Sequence, residues 1–136
     1  MSKKIFVDTG AWFAIADKND QFHRKASDHL KRIVENRNNL ITSNLVIHET
    51  AMLLFRKLSK ESASRFLQTV YNDDDVEVIH CNEAMEKEAY GIFQHYEEQD
   101  FSIVDCVSFT MMKKLEIKCV FAFDKHFKTM RFIVEP

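Results

Sequence analysis

Short apolar runs alternate along this chain with longer segments in which apolar residues recur every three or four positions. The short runs are typical of buried strands, and the longer segments are typical of helices that pack on one face. The predicted strands are 4–8 (KIFVD), 39–43 (NLITS), 76–80 (VEVIH), 118–123 (KCVFAF) and 131–135 (RFIVE), the last at an edge. The predicted helices cover 9–18, 22–37, 44–58, 59–71, 82–96 and 102–115, with a loop or short helix at 124–129.

The alternation of strand and helix indicates parallel strands joined by right-handed helical crossovers. We therefore expect an α/β fold, a three-layer α/β/α sandwich around a central parallel sheet. No repeat or low-complexity linker divides the sequence, so residues 1–136 are expected to form a single domain. In open sheets of this kind ligands bind beyond the carboxyl ends of the strands, where Asp8 and Asp124 lie.

Composition and charge restrict the class of protein. The net charge of −2 argues against a highly basic nucleic-acid binder but allows an enzyme whose basic residues surround an acidic pocket. No apolar run is long enough to span a bilayer, and the N-terminus lacks an extended apolar signal region, so we expect a cytoplasmic protein without a membrane partner. Cys81, Cys106 and Cys119 are odd in number and lie among apolar residues, which favours reduced thiols packed in the core.

Carboxylates occur within or beside apolar segments at Asp8, Glu49, Asp100, Asp105 and Asp124. Because an ionised carboxylate is costly to bury without a partner, and few basic residues accompany these acids, a divalent cation is the simplest compensation. Ligands that are all oxygen select a hard ion, here Mg²⁺ or Mn²⁺, over zinc. Magnesium commonly binds carboxylates together with substrate phosphates, so the pattern favours hydrolysis of a phosphodiester.

Each of the four strongest acids also has a simpler interpretation. Asp8 is placed to cap the helix that follows the first strand, and Glu49 is placed to pair with Arg56. Asp105 completes an S-x-x-D pattern typical of a capping box, and Asp124 is placed to begin a turn. The coincidence of four such acids favours one site over four unrelated roles.

Other polar features are expected to be solvated. The aspartates of NDDD at 72–75 are adjacent, and neighbouring side chains diverge rather than converge on a ligand. Basic clusters such as Arg56 with Lys57 are more typical of solvated helix ends than of a pocket rim. His126 faces either the substrate phosphate or solvent, and solvent is favoured.

Four motifs occur in order, IFVDTGAW at 5–12, TSNLVIHE at 42–49, SIVDCVSF at 102–109 and FAFDKHF at 121–127. Together they resemble the PIN-domain ribonucleases, particularly the VapC-type toxins of prokaryotic toxin–antitoxin pairs. The resemblance implies a PIN-like fold with about five parallel strands. It matches the catalytic, metal-binding quartet of that family to Asp8, Glu49, Asp105 and Asp124.

Further expectations follow from this resemblance. Thr9 matches a hydroxyl residue that supports the metal site, and Asp100 is expected to be an accessory acid. The implied function is a Mg²⁺- or Mn²⁺-dependent endoribonuclease that leaves 5′-phosphate and 3′-hydroxyl ends, as the toxin of a type II toxin–antitoxin system. The implied partners are an RNA substrate, a second copy in a homodimer, and a small antitoxin that fills the acidic pocket and packs on the helices at 44–71.

Two alternatives remain open. One is an RNA-processing PIN nuclease that has no antitoxin. The other is a non-enzymatic binding domain, such as a phospho-receiver. A receiver needs an acceptor acid after its third strand, but the strand at 76–80 ends in His80 and is followed by Cys81, so this alternative is the weaker one.

Overall fold

The computed structural model describes residues 2–136, which form five strands and seven helices. The strands are β1 (Lys4–Val7), β2 (Asn39–Ser43), β3 (Val76–Ile79), β4 (Cys119–Phe121) and β5 (Ile133–Glu135). The helices are α1 (Thr9–Ala16), α2 (His23–Glu35), α3 (Asn44–Lys57), α4 (Lys60–Asn72), α5 (Glu83–His95), α6 (Ile103–Lys114) and α7 (His126–Thr129).

All five strands are parallel, and they pair in the order β3-β2-β1-β4-β5. The central strand β1 contributes Ile5, Phe6 and Val7 to the core, and the buried apolar side chains of the described chain form one cluster. Helices α1, α2, α3 and α4 pack on one another, whereas α5 packs on α6. This three-layer α/β/α arrangement confirms the predicted fold class.

The strand order reverses at the centre of the sheet. The chain leaves β1 towards β2 on one side, and it leaves β4 towards β5 on the other. The carboxyl ends of β1 and β4 therefore flank a crevice, the usual ligand site of such sheets. Asp8 follows β1 directly, and its backbone N–H donates to the carbonyl of Phe121 at the end of β4. The two strand ends are thereby held side by side.

Serine side chains set the beginnings of three helices. Ser43 Oγ accepts from the N–H of Val46 at α3, and Ser59 Oγ accepts from the N–H of Ser62 at α4, both at 3.0 Å. Ser102 Oγ caps α6 in the same way. These bonds satisfy amide groups that have no partner within the helix. The start of each helix agrees with the sequence prediction to within one residue.

Four strands are shorter than the sequence predicts, β1 and β3 by one residue each and β4 and β5 by more. β4 ends at Phe121 rather than at residue 123, because its partner β1 ends at Val7 and the chain then turns. β5 begins at Ile133 rather than at residue 131. Arg131 has a φ of 67°, a left-handed conformation that cannot continue a strand.

Several smaller expectations can also be compared with the structure. The three aspartates at 73–75 are exposed, which confirms the solvated turn. All three cysteines are free, but only Cys106 is buried, whereas Cys81 and Cys119 are half-buried. Cys106 is thus a core residue as expected, and Cys81 and Cys119 pack against the core while remaining partly exposed. Within residues 2–136, no helix has both the length and the apolar character needed to cross a membrane.

Candidate functional site

The structure brings four of the predicted acids into one open pocket of about 420 Å³ at the crevice between β1 and β4. Asp8 follows β1, and Asp124 lies just beyond β4. Glu49 comes from the second turn of α3, and Asp105 comes from the first turn of α6. Four segments that are distant in sequence thus deliver carboxylates to the same place.

Asp8 is the most deeply placed of these acids, with 3% of its surface exposed. It occupies the N-cap position of α1, but its side chain accepts no capping hydrogen bond. The simpler interpretation of Asp8 as a helix cap is therefore wrong.

Glu49 is half-buried and is held by a hydroxyl group rather than by a base. Oγ1 of Thr9, the first residue of α1, donates a hydrogen bond to Oε1 of Glu49. Glu49 forms no ion pair with Arg56 among residues 2–136. Thr9 thus contacts the pocket acid that it was expected to support.

Asp105 combines a capping role with a place in the pocket. Its Oδ2 accepts from the N–H of Ser102 at 3.0 Å, and Ser102 Oγ accepts from the N–H of Asp105, which completes the capping box. The same Oδ2 lies 2.9 Å from Nδ1 of His126. The capping box was predicted as an alternative to the site, but the structure shows both, because one oxygen makes these contacts and leaves Oδ1 for the pocket.

His126 does not simply face solvent, contrary to the favoured expectation. Its ring contacts Asp105 and packs edge-on against Phe101 at 5.4 Å between ring centroids. The backbone N–H of His126 donates to Oδ1 of Asp124 at 3.0 Å, so Asp124 also begins the turn that the simpler interpretation expected. Potential ligand atoms of Asp105, Asp124 and His126 all lie within 4.8 Å of one another. The sequence placed His126 near Asp124 but carried no signal for the contact with Asp105.

Burial and mutual repulsion raise the pKa values of the pocket acids. The pKa of Asp8 lies well above 3.8, first because of burial and then because of the negative charges of Asp124 and Asp105. Burial also raises the pKa of Glu49, against the opposing effect of the Thr9 hydroxyl. For Asp124, burial raises the pKa and the N–H of His126 opposes the rise. The folded chain therefore holds these acids in a place that disfavours their ionised forms.

A cation of the protein lines the pocket but does not neutralise it. Lys57 is exposed, and its Nζ lies over the ring of Phe13 at 5.4 Å from the centroid. Within residues 2–136, Lys57 forms no ion pair with a pocket acid. The expectation that this basic cluster is only a solvated helix end was thus wrong for Lys57, which borders the pocket.

The donor set fits a hard divalent cation. The groups that converge are carboxylate oxygens together with the ring of His126, and no pocket acid is paired with a lysine or arginine within the described chain. Two unit charges at 4.8 Å repel by roughly 3 kcal/mol at an effective dielectric constant of about 20. A divalent cation among these oxygens would reverse that repulsion, which is the arrangement that Mg²⁺ and Mn²⁺ sites use.

Asp100 does not join this pocket. It is exposed and lines a separate surface depression with Phe93 and Glu97. Its predicted accessory role receives no support from the geometry.

Sequence reasoning missed a second group of pocket residues in the loop between α1 and α2. Asp20, Gln21 and Phe22 line the pocket together with Glu49 and Asp105. Asp20 Oδ2 accepts from the N–H of Phe22 at 2.9 Å, which fixes the loop. The D-x-F pattern predicts such a local turn, but nothing local predicts that it reaches the strand ends.

Comparison with known proteins agrees with this geometry. A family model described as the PIN domain matches residues 5–133. VapC20 of Mycobacterium tuberculosis, described as a 23S rRNA-specific endonuclease, is 33% identical over 134 residues, which cover 95% of each chain. The crystal structure of VapC20, described as a sarcin-ricin loop cleaving toxin, has a TM-score of 0.86 and 31% identity over 95% of this chain and 96% of that one.

Two further solved structures share the fold at lower identity. VapBC2 from Rickettsia felis, bound to a DNA fragment of its promoter, has a TM-score of 0.71 and 14% identity, with 97% of both chains covered. FitAcB from Neisseria gonorrhoeae has a TM-score of 0.68 and 12% identity, over 97% of this chain and 96% of that one. The family match, the relative at 33% identity and the shared sheet topology lead to one conclusion: this chain belongs to the PIN-domain family.

Proposed function

We propose that this protein is a metal-dependent endoribonuclease that hydrolyses RNA phosphodiester bonds as the toxin of a toxin–antitoxin pair. The observation that carries the proposal is the convergence of Asp8, Glu49, Asp105 and Asp124 on one pocket without a lysine or arginine partner in the described chain. Similarity to VapC20, an RNA endonuclease, supports RNA as the substrate class.

The chain itself prepares the pocket for a cation and a phosphate. Capping and the contact with His126 fix Asp105, and Thr9 fixes one oxygen of Glu49. Asp8 and Asp124 supply oxygens from the ends of neighbouring strands. We assign Mg²⁺ or Mn²⁺ to this quartet, and the bound ion supplies Lewis-acid stabilisation of charge on the reacting phosphodiester. Lys57 on the rim is placed to attract the substrate backbone.

The test of the nuclease activity uses purified protein that is free of any partner. Total RNA is incubated with the wild type in Mg²⁺, with the wild type in EDTA, and with Asp8→Asn in Mg²⁺. We expect both EDTA and the substitution to lower cleavage by more than about a hundredfold, because a metal ligand is lost. Asp28→Asn, an exposed acid of α2, is the matched control and should cleave as the wild type does. Cleavage that survives both EDTA and Asp8→Asn would refute the assignment.

The first substrate to test is the sarcin–ricin loop of 23S rRNA, because VapC20 is described as cleaving it. Product ends that carry 5′-phosphate and 3′-hydroxyl groups would agree with the proposal. If the protein cleaves other RNAs and leaves this loop intact, the proposed nuclease activity stands and the substrate is a different RNA.

A small antitoxin has a candidate docking surface at the other end of the strands from the acidic pocket. An apolar cavity of about 230 Å³ lies between α1, α2 and α4, with Trp12, Leu30, Phe66 and Val76 in its lining. This location agrees only partly with the predicted surface at 44–71, since α1 and α2 lie outside that range. An apolar partner helix is the occupant that such a groove suits. A second segment of the proposed antitoxin would insert a basic or bulky side chain into the acidic pocket, because the cavity lies towards the amino ends of β2 and β3 and the pocket lies at the carboxyl ends of the strands.

The toxin role can be separated from RNA processing without an antitoxin. The test is to co-express this protein with the protein encoded by the neighbouring gene. We expect the neighbour to co-purify with it and to suppress its RNA cleavage. Failure of that neighbour to bind, with cleavage intact, would favour the RNA-processing alternative.

We also propose a homodimer, for which the exposed apolar residues Tyr90 and Phe93 on α5 offer surface, and light scattering of the purified protein tests it.

A further inference from the structure

The acidic pocket has an aromatic rim that its carboxylates do not explain. Phe22 and Phe123 both line the pocket, and their rings stack with centroids 4.6 Å apart and planes 3° apart. Phe22 precedes α2, and Phe123 is the residue immediately before Asp124. A parallel aromatic pair therefore stands directly beside the proposed place of phosphodiester chemistry.

The stacked pair is anchored on its inner side. Phe123 contacts Phe121 in an edge-to-face arrangement at 6.1 Å, and Phe121 is fully buried at the end of β4. The outer ring is fixed through its backbone, since the N–H of Phe22 donates to Asp20 and its carbonyl accepts from the N–H of Ala26. Packing holds the ring of Phe123, and the backbone bonds and the stack limit the motion of Phe22, which lowers the entropic cost of binding a ligand.

The outer ring is also available to a ligand. Phe123 covers one face of Phe22, and 36% of Phe22 nevertheless remains exposed. Single exposed apolar residues are common on protein surfaces and alone indicate nothing. Here the exposed ring of Phe22 is stacked on Phe123 and lies at the rim of the acidic pocket. The acids that line this pocket are suited to a cation and, through it, to a phosphate.

We infer that Phe22, supported by Phe123, is a stacking platform for an unpaired nucleobase next to the scissile phosphate of the RNA. This inference rests on the proposed function and adds the part of the substrate that the acids do not bind. Every nucleobase has a π-face, and stacking on aromatic side chains is a general means of holding single-stranded RNA. A base inside a duplex has both faces covered, so the platform selects loops and unpaired ends.

The platform makes Phe22 a substrate-positioning residue rather than a catalytic one. Removal of its ring should weaken RNA binding and leave cation binding unchanged. Phe22→Leu keeps an apolar side chain against Phe123 but loses the aromatic face, and Phe22→Trp keeps that face. Phe55→Leu changes an exposed phenylalanine of α3 that does not line the pocket, and it serves as the matched control.

The experiment combines these variants with a series of RNA oligonucleotides. Each oligonucleotide spans a site that the wild type cuts, or the sarcin–ricin loop if no site is known, and carries one abasic nucleotide at a different position. RNA affinity is measured by fluorescence anisotropy in EDTA, and kcat/KM is measured in Mg²⁺. Thermal unfolding and Mn²⁺ titration of each variant report folding and cation binding separately.

We expect Phe22→Leu to lower RNA affinity and kcat/KM by about fivefold to a hundredfold, with the melting temperature and Mn²⁺ affinity of the wild type. Phe22→Trp and Phe55→Leu should bind as the wild type does. At one position, an abasic nucleotide should weaken RNA binding to the wild type by the same factor as Phe22→Leu does. The abasic nucleotide at that position should cause no further loss of affinity in Phe22→Leu, whereas the other positions should affect both proteins equally. This loss of additivity assigns the contact to one base.

Two results would overturn the inference. One is a folded Phe22→Leu protein with wild-type RNA affinity, and the other is an abasic penalty that is the same in Phe22→Leu and the wild type at every position. Cleavage by the wild type in either case would leave the proposed function standing. Conversely, Phe22-dependent RNA binding without any cleavage would support the platform and refute the nuclease assignment.

Discussion

Two clusters of ionisable groups in this protein differ in how their acids are compensated. In the cluster of Glu135, Oε2 lies 2.7 Å from Nζ of Lys3, and Oε1 lies 3.0 Å from Nε2 of His29. Burial raises the pKa of Glu135, but the hydrogen bond and charge of Lys3 and the hydrogen bond from His29 outweigh it and leave the pKa lowered. In the acidic pocket, by contrast, burial and neighbouring acids raise the pKa of Asp8 without a compensating cation.

The difference separates an acid that stabilises the fold from acids that oppose it. Glu135 connects the segment before β1 to β5 and α2, and its partners account for its position. Among the described residues no lysine or arginine pairs with the pocket acids as Lys3 does with Glu135, although His126 contacts Asp105, and the fold still delivers the four acids to one place. Several ionisable groups that lower stability and lie together in one pocket are typical of a functional site.

The largest expected effect comes from removing the buried charge of the pocket. Because the folded-state pKa of Asp8 is raised above 3.8, the native protein retains a proton that the unfolded chain releases. The stability of the cation-free protein should therefore fall as pH rises from 3.8 through the raised pKa. Asp8→Asn should increase the free energy of unfolding at pH 7 in EDTA by about 1–3 kcal/mol, measured by urea denaturation.

The same measurement with a cation sharpens this prediction. Mn²⁺ should stabilise the wild type at pH 7 by an amount that rises with the logarithm of the Mn²⁺ concentration above its Kd, and it should have little effect on Asp8→Asn. Asp28→Asn should behave as the wild type under both conditions. A cation-free wild type that gains stability between pH 4 and pH 7 because of Asp8 would have the wrong sign and would contradict the electrostatic account.

A smaller effect is expected at the hydroxyl that supports Glu49. Thr9→Val removes the hydrogen bond to Glu49 Oε1 while keeping the shape of the side chain. Loss of a hydrogen bond to a proposed metal ligand should lower kcat/KM by about tenfold to a hundredfold. Thr9→Ser keeps the hydroxyl and should retain most of the activity. Equal losses in Val and Ser variants would show that packing, rather than the hydrogen bond, matters at this position.

The smallest effect is expected at the paired cluster. Glu135→Gln weakens the bonds to Lys3 and His29 and should lower the free energy of unfolding at pH 7 by about 1 kcal/mol. The lowered pKa of Glu135 contributes stability that is present above pH 4.5 and is lost as pH falls through the folded-state value. This dependence has the opposite sign to that of Asp8. Glu135→Gln should not change the Mn²⁺ affinity of the acidic pocket. A changed affinity would show that the two clusters are energetically coupled.

Much of the fold and part of the site could be predicted from the sequence. Apolar runs of four to six residues between amphipathic segments indicated a parallel sheet, and the positions of Asp8 and Asp124 at strand ends followed from it. The directions of Glu49 and Asp105 did not follow from helical periodicity. Their assignment to the same pocket came from the coincidence of four acids in apolar segments and from the family resemblance, and the structure places them there.

Other features depend on contacts that no local pattern encodes. The contact of His126 with Asp105 joins residues 21 apart in sequence, and the stack of Phe22 on Phe123 joins the α1–α2 loop to the end of β4. Lys57 lies at the end of α3, and its place on the pocket rim depends on how α3 packs against α1. Such details follow from tertiary packing, which only a structure supplies.

The central claim is that one cation site unites the four acids, and anomalous diffraction from crystals soaked in Mn²⁺ tests it most directly. We expect one or two anomalous peaks in the pocket, about 2.0–2.3 Å from carboxylate oxygens that include Asp8 and at least one of Asp105 and Asp124. Crystals of Asp8→Asn should show weaker peaks or none. A pocket without a peak at saturating Mn²⁺, or one in which Lys57 has moved in to pair with the acids, would contradict the account.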